Sequence, residues 1–449
     1  MTEILEKEIL DEIKTGRSAE NISMPEVNST IPVDLSANFW RKLFSFAGPG
    51  FLIAVGYMDP GNWATDLAGG ARFGYTLLSV IMISNLMAML LQHLSLKLGI
   101  VTGHDLAQEC RMTYSPGFTI FLWIICEIAI AACDLAEVIG SAVALNLLFH
   151  IPLVVGVILT ALDVLIVLYL QNKGFRYIEA LVAGLIGIIG FCFIYELFLS
   201  SPSVPGILNG FIPRAEIVSN PGMLYIAIGI LGATVMPHNL YLHSSIVQTR
   251  KYTRSALGKE MAIKFGTIDS TMALMIALFI NASILILSAA AFHGTGHEDV
   301  ADINDAYKLL SPLLGVPVAS IFFGVALLAS GQNATLTGTM AGQIVMEGFI
   351  NLRLRPWIRR LLTRMVAIVP AVIIAALYGE RGVGSLLIFS QVILSLQLSF
   401  AVVPLVTFTG NRLKMGKFVN SRAMNIIAWT IAILIILLNG YLLFQFISS

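Results

Sequence analysis

Apolar residues run almost without interruption in stretches of about twenty along this chain, each long enough to cross a hydrocarbon core of ~30 Å as a helix. The runs at 153–170 and 426–444 are nearly continuous, whereas outer-membrane barrel strands alternate in polarity over ~10 residues. The pattern predicts eleven helical spans, at 46–69, 75–99, 117–146, 152–171, 177–199, 222–248, 265–291, 314–345, 361–378, 384–409 and 424–446. Residues 1–44 form a polar tail, and the transmembrane domain occupies 45–449.

Two spans are interrupted in the same way. The first reads Gly56-Tyr57-Met58-Asp59-Pro60-Gly61-Asn62, and the sixth reads Ala233-Thr234-Val235-Met236-Pro237-His238-Asn239. Pro60 and Pro237 are 177 residues apart, as are Asn62 and Asn239, which places the two breaks five spans apart. An odd number of spans per half reverses orientation, so matched breaks five helices apart mark an inverted repeat. The halves are about 46–199 and 222–409, with an extra helix at about 424–446. A lone proline would be read as a tolerated kink; two at matching positions favour unwound segments whose free carbonyls line a cavity.

Composition sharpens this picture. Of 449 residues 57% are apolar and 12% charged, with a mean hydropathy of +0.84, against roughly a quarter charged in soluble domains. The 27 basic and 27 acidic residues cancel, but 23 of the basic ones fall in the tail and alternate loops, leaving Arg72, Arg214, Lys308 and Arg381 opposite. The positive-inside rule then gives an N-in, C-out protein of the cell membrane. It also accounts for the basic loops at 250–264, 353–364 and 412–422 without nucleic acid. Cys110, Cys126, Cys133 and Cys192 form no CxxC pair and read as small packing residues. The acidic-leaning N-terminus is no signal peptide.

The chemistry concentrates at the breaks. An unwound Asp59-Pro60-Gly61-Asn62 offers a carboxylate, an amide oxygen and freed carbonyls, which are cation ligands. Asp59 unpaired would cost roughly 2.5–3.5 kcal/mol in the membrane, so a proton or a metal is expected there; its alternative role is to cap the second half-helix. Met236 adds a soft thioether, favouring Mn²⁺, Fe²⁺, Co²⁺ or Cd²⁺ over Ca²⁺ and Mg²⁺ if it is a ligand and not packing. His238 and His243 lie about 140° apart on a regular helix, so they are not a paired metal motif but proton-handling groups, or else simply hydrogen-bonded. Glu127, Asp134 and Glu137 fall within about 80° on one face of the third span, as a static ion-pair network or a proton wire, with Arg364 the best-placed basic partner. The eighth span is rich in small residues suited to close packing, Gln391 and Gln397 are amides at bilayer depth, and the loop at 293–305 receives no specific site.

The two broken motifs, together with the segment Ala341-Gly342-Gln343-Ile344-Val345-Met346-Glu347-Gly348-Phe349, resemble the Nramp (natural resistance-associated macrophage protein) family of divalent-metal transporters, from about residue 45 to the end. The resemblance implies an all-α polytopic membrane protein of LeuT-like fold and H⁺-coupled uptake of Mn²⁺ or Fe²⁺, the metal being transported substrate and no cofactor permanently bound. It implies Asp59, Asn62, Met236 and the carbonyl of Ala233 as metal ligands, with Gly56 at the other carbonyl position and Gln391 joining in occluded states. His238, Glu137 and Asp134 then correspond to the proton path, with Glu127 and Arg364 beside it; His243 is placed with them by the reading of the residues alone. Gly56 stands where many relatives have alanine, and magnesium-transporting relatives lack the methionine. Short loops suit a bacterial member. The expected partners are metal ions, H⁺ and the lipid bilayer, with no nucleic acid and no required protein. The rivals are a Na⁺-coupled amino-acid carrier on the same fold and a metal-permeable channel; no nucleophile–base pair suggests an enzyme.

Overall fold

Proline at the first helical position opens many of the long helices, where its missing N–H is not needed and its fixed φ suits the turn. The computed structural model describes residues 23–162, 169, 173–296, 303–316, 318–353, 356–378 and 383–448. A short strand β1 (Ile31–Pro32) precedes α1 (Phe39–Phe46), α2 (Pro49–Gly56) and α3 (Pro60–Phe73). Then come α4 (Leu78–Thr102), the loop helix α5 (Leu106–Thr113), α6 (Pro116–Phe149), α7 (Leu153–Leu159) and α8 (Phe175–Ser200). After the short α9 (Val204–Gly210) and α10 (Glu216–Ser219), the second half begins with α11 (Pro221–Thr234), α12 (Pro237–Ile246) and β2 (Arg250–Lys251). It continues with α13 (Ala256–Phe292), α14 (Ile303–Leu314), α15 (Ala319–Ile350), α16 (Pro356–Tyr378) and α17 (Val383–Thr409), ending in α18 (Arg412–Met415) and α19 (Arg422–Ser448).

Both predicted interruptions are present: Tyr57–Asp59 separates α2 from α3, and Val235–Met236 separates α11 from α12. Eight helical runs among the described residues are long and apolar enough to cross a membrane, one of them joining α3 and α4. The fourth predicted span falls partly outside the described residues, which also exclude the first 22 residues of the tail, Arg381 and part of the 293–305 loop. Other boundaries differ: α13 begins nine residues before the predicted span, because helix continues through the polar residues at 256–264, and the approach to the eighth span contains a separate helix, α14.

Packing places the broken helices at the centre. The helices α6 and α15 lie along each other, α13 packs on α2, α3 and α4, and α17 on α6 and α11, while α19 sits at the periphery against α17. Trp63 anchors α3 to its neighbours, its ring 4.9 Å from Phe193 and 5.1 Å from Phe323, within the favourable range for aromatic pairs.

The end of the bundle bearing the N-terminal segment is tied together. Strand β1 pairs in parallel with β2, Ile31 opposite Arg250. The Met24 N–H donates to Glu347 Oε2 at 2.8 Å and Gln343 Nε2 to Glu26 Oε1 at 2.9 Å, joining the same segment to the end of α15. The start of α2 donates backbone N–H groups of Gly48 and Gly50 to the Asp269 carboxylate of α13, the latter at 2.7 Å, a favourable charge at a helix N-terminus. Arg250 pairs with Glu179 at 2.6 Å and donates to the Ala47 carbonyl.

Candidate metal centre

The two breaks face each other. Asp59 caps α3, its Oδ1 accepting the Asn62 N–H at 2.8 Å and the Asn62 Nδ2 at 2.6 Å, so the expected capping role is present in the structure. The same Nδ2 lies 3.3 Å from the Gly56 carbonyl oxygen and 3.1 Å from that of Ala233. Both carbonyls belong to the C-terminal turns of half-helices, α2 and α11, where unsatisfied C=O groups concentrate partial negative charge. A carboxylate and two helix-end carbonyls therefore converge on one point, fully buried. Met236 shares the space: a Cβ built on Gly56 would come within 3.0 Å of the Met236 Sδ. Gln391 is buried against Gly61, occupying the room that a Cβ there would need, and its Oε1 has no hydrogen-bond partner among the described residues. All six predicted metal-site residues thus gather around the two breaks.

The predicted proton-path residues divide into groups. The Cys133 Sγ on α6 stands 4.0 Å from Asp59 Oδ2, 3.6 Å from Glu137 Oε1 and 3.9 Å from His238 Nε2, bridging the Asp59 carboxylate to two of them. Asp134 and Glu137 both lie over Gly338 of α15, where a Cβ would approach their oxygens to 2.9 and 3.1 Å. The small residues of the eighth span hence do more than tighten packing: they leave room for carboxylates. Glu127 lies nearer the start of α6 and accepts from Trp123 Nε1 at 3.0 Å. The Arg364 side chain lies outside the described residues.

His243 belongs elsewhere. Its Nδ1 is 2.9 Å from Gln92 Oε1, and Gln92 Nε2 donates to the Tyr57 hydroxyl at 2.9 Å, so this imidazole is linked to the first break through α4. The two histidines enter different networks, as their angular separation on a helix requires. Sequence reasoning took Cys133 for a packing residue, whereas its thiol contacts Asp59, Glu137 and His238, and it passed over Tyr57, Gln92 and Asn281, whose Nδ2 donates to the Tyr57 carbonyl at 2.7 Å and lies 3.4 Å from Asn62 Oδ1. It also passed over the buried Asp66, one oxygen of which has no partner among the described residues. The available signal was the same for Gln92, Asn281 and Asp66: a polar group inside an apolar span is costly and marks a site.

Known proteins share this arrangement of chain. The family model for natural resistance-associated macrophage protein-like sequences matches residues 50–445. The divalent metal cation transporter MntH of Listeria innocua is 64% identical over 437 residues, covering 97% of this chain and 98% of its own. A crystal structure of the Eremococcus coleocola manganese transporter, in complex with an aromatic bis-isothiourea substituted compound, is 43% identical with a TM-score of 0.86, covering 93% of this chain and 90% of that one. Mhp1, a nucleobase-cation-symport-1 family transporter, is 16% identical with a TM-score of 0.59 over 85% of this chain and 80% of its own, a likeness of fold alone. The chain belongs to the natural resistance-associated macrophage protein-like (Nramp) family, as a multi-pass membrane transporter of divalent metal cations.

Proposed function

We propose that this protein imports Mn²⁺, and Fe²⁺ as a second substrate, across the cell membrane together with H⁺, by alternating access around the two helix breaks. The observation that carries the reading is the convergence of Asp59 Oδ1 and the carbonyls of Gly56 and Ala233 on the Asn62 amide, with the Met236 thioether beside it. Turning that amide over would present its oxygen to the same point. Four oxygens and a sulfur would then face one another, an arrangement that only a cation holds together. The C-terminal ends of α2 and α11 point at it, as expected for the cation side of a broken-helix transporter site. One anionic ligand with a soft donor fits a divalent transition metal better than Na⁺, which argues against an amino-acid carrier coupled to Na⁺. The metal is cargo and no resident cofactor is required.

Cys133 of α6 meets the Asp59 carboxylate and in turn contacts Glu137 and, from α12, His238, with Asp134 beside Glu137 over Gly338. Side chains that exchange protons near neutral pH or when buried suit a route for H⁺ beside the metal. The test is uptake into proteoliposomes with a pH dye inside. Mn²⁺ entry driven by a negative interior potential should acidify the lumen, and Asp59→Ala should abolish both fluxes, while His238→Ala and Glu137→Gln weaken H⁺ movement more than metal binding. Metal flux without acidification in the wild type leaves uniport as the account, and flux that rises without saturation leaves a channel.

A further inference from the structure

We infer that the cleft between α4, α11 and α19 is a binding site for one anionic phospholipid, its acyl chain in the cleft and its headgroup on Arg214. The cleft has a volume of about 210 Å³. Its walls are Met87 of α4, Ala227 and Leu231 of α11, and Leu434 and Leu438 of α19, with Arg214 at its mouth. Three features name the occupant. The walls belong to helices that cross the membrane, and Ile83 of α4, itself in the wall, is 37% exposed, so the cleft opens to a medium that is hydrocarbon at this depth.

The depth matches one leaflet. The lining runs from Leu224 to Leu231 along α11 and from Ser79 to Met87 along α4, about 10–12 Å at 1.5 Å per residue, close to half of a ~30 Å core. Arg214 lies at the outer end, beside Pro213, in the link between the short helices α9 and α10 that precede the span of α11. The side chain is exposed, and no ion pair holds it among the described residues. A fixed cation at the head of an apolar, leaflet-deep cleft selects an acyl chain with a negative headgroup over a zwitterionic one, by about fivefold for one arginine near the surface.

The test uses the full-length protein in detergent, with native mass spectrometry reading retained lipid. Phosphatidylglycerol and phosphatidylcholine of identical acyl chains are titrated in turn. The wild type should keep one phosphatidylglycerol about fivefold more tightly than phosphatidylcholine. Arg214→Gln should bind the two alike, at the weaker level. Ala227→Phe, and Leu434→Phe on the facing helix as a second variant should the first fail to fold, should lose both. A preference unchanged in Arg214→Gln overturns the headgroup assignment. Retention unchanged in both filling variants overturns the cleft, and displacement of the lipid by free glycerol phosphate identifies a plain anion site in its place.

Discussion

Met236 and Gly56 touch the same small volume, and each makes a separate demand on it. The Sδ of Met236 occupies a position beside hard oxygen donors that Ca²⁺, taking six to eight oxygens, would otherwise use readily. A thioether gives little to a hard ion, is tolerated by Mn²⁺ and is favoured by Cd²⁺. Met236→Ala should therefore admit Ca²⁺ as a competitor of Mn²⁺ uptake and weaken Cd²⁺ most, with part of Mn²⁺ transport retained as water fills the gap. Equal Ca²⁺ competition in wild type and variant would assign Met236 to packing. Gly56 makes its own demand: an alanine Cβ would fall 2.3 Å from Asn239 Nδ2, which now donates to the Ile53 carbonyl at 3.3 Å. The amide is the free end of its side chain, so Gly56→Ala should fold but displace it. A double-mutant cycle with Asn239→Ala, read as Mn²⁺ affinity, should give a coupling of about 0.5–1.5 kcal/mol; additivity would show that the amide does not matter. Five of the six candidate metal-site residues were legible because they lie within seven residues of one another in each motif, while Gln391 was readable only as an amide at bilayer depth. Cys133 was not, since its neighbours Asp59 and His238 are 74 and 105 residues away in sequence and only helix packing brings them together.

The loop helix α5 shows how an element's end can carry a pH dependence. Asp105 caps it through a reciprocal pair, accepting the Gln108 N–H at 2.9 Å while the Gln108 side chain accepts the Asp105 N–H at 2.8 Å. Burial pushes this carboxyl up to about 6, against the opposing pull of the Gln108 N–H. Because the folded value is raised, ionisation is disfavoured in the folded state. The resulting penalty is absent below about pH 4, grows between pH 4 and 6, and is complete above pH 6. Asp105→Asn keeps the capping oxygen and stays neutral, so it should stabilise the protein by about 3 kcal/mol at pH 8 and by well under about 1 kcal/mol at pH 4. Thermal melts in detergent at the two pH values check this; equal shifts at both would remove the carboxyl as the cause. Elements as a class were readable wherever apolar runs were long. The two breaks were readable because proline cannot donate in a helix. What escaped was helix beyond the apolar runs, as in α14 and the polar start of α13, where hydropathy carries no signal for a helix made outside the membrane.

At the scale of the whole molecule, the N-terminal segment joins parts that the proposed alternating access would separate. Met24 and Glu26 bind the end of α15, while Ser29 and Val33 donate backbone N–H groups to the carbonyls of Gln248 and Lys251, just beyond α12. Met24, Val27 and Ile31 are buried in the core between these attachments. α12 is the second half of a broken helix and α15 is packed along α6, so one strap spans elements on both sides of the candidate metal site. Its hydrogen bonds are each worth about 1 kcal/mol and a buried isoleucine about 1.5–3 kcal/mol, enough to bias an equilibrium between two states separated by a few kcal/mol. Ile31→Asp places a charge at that buried position and removes its apolar contact without touching the metal centre. Released strap should leave the β2 amides and the last turn of α15 exchanging hydrogen at least tenfold faster, with Mn²⁺ affinity at equilibrium changed far less. Both readouts are available from one reconstituted sample, by hydrogen exchange and by metal titration. Unchanged exchange at β2 and α15 would mean that the strap rests on the bundle without holding it; faster exchange confined to residues 23–33 would mean that it frays alone.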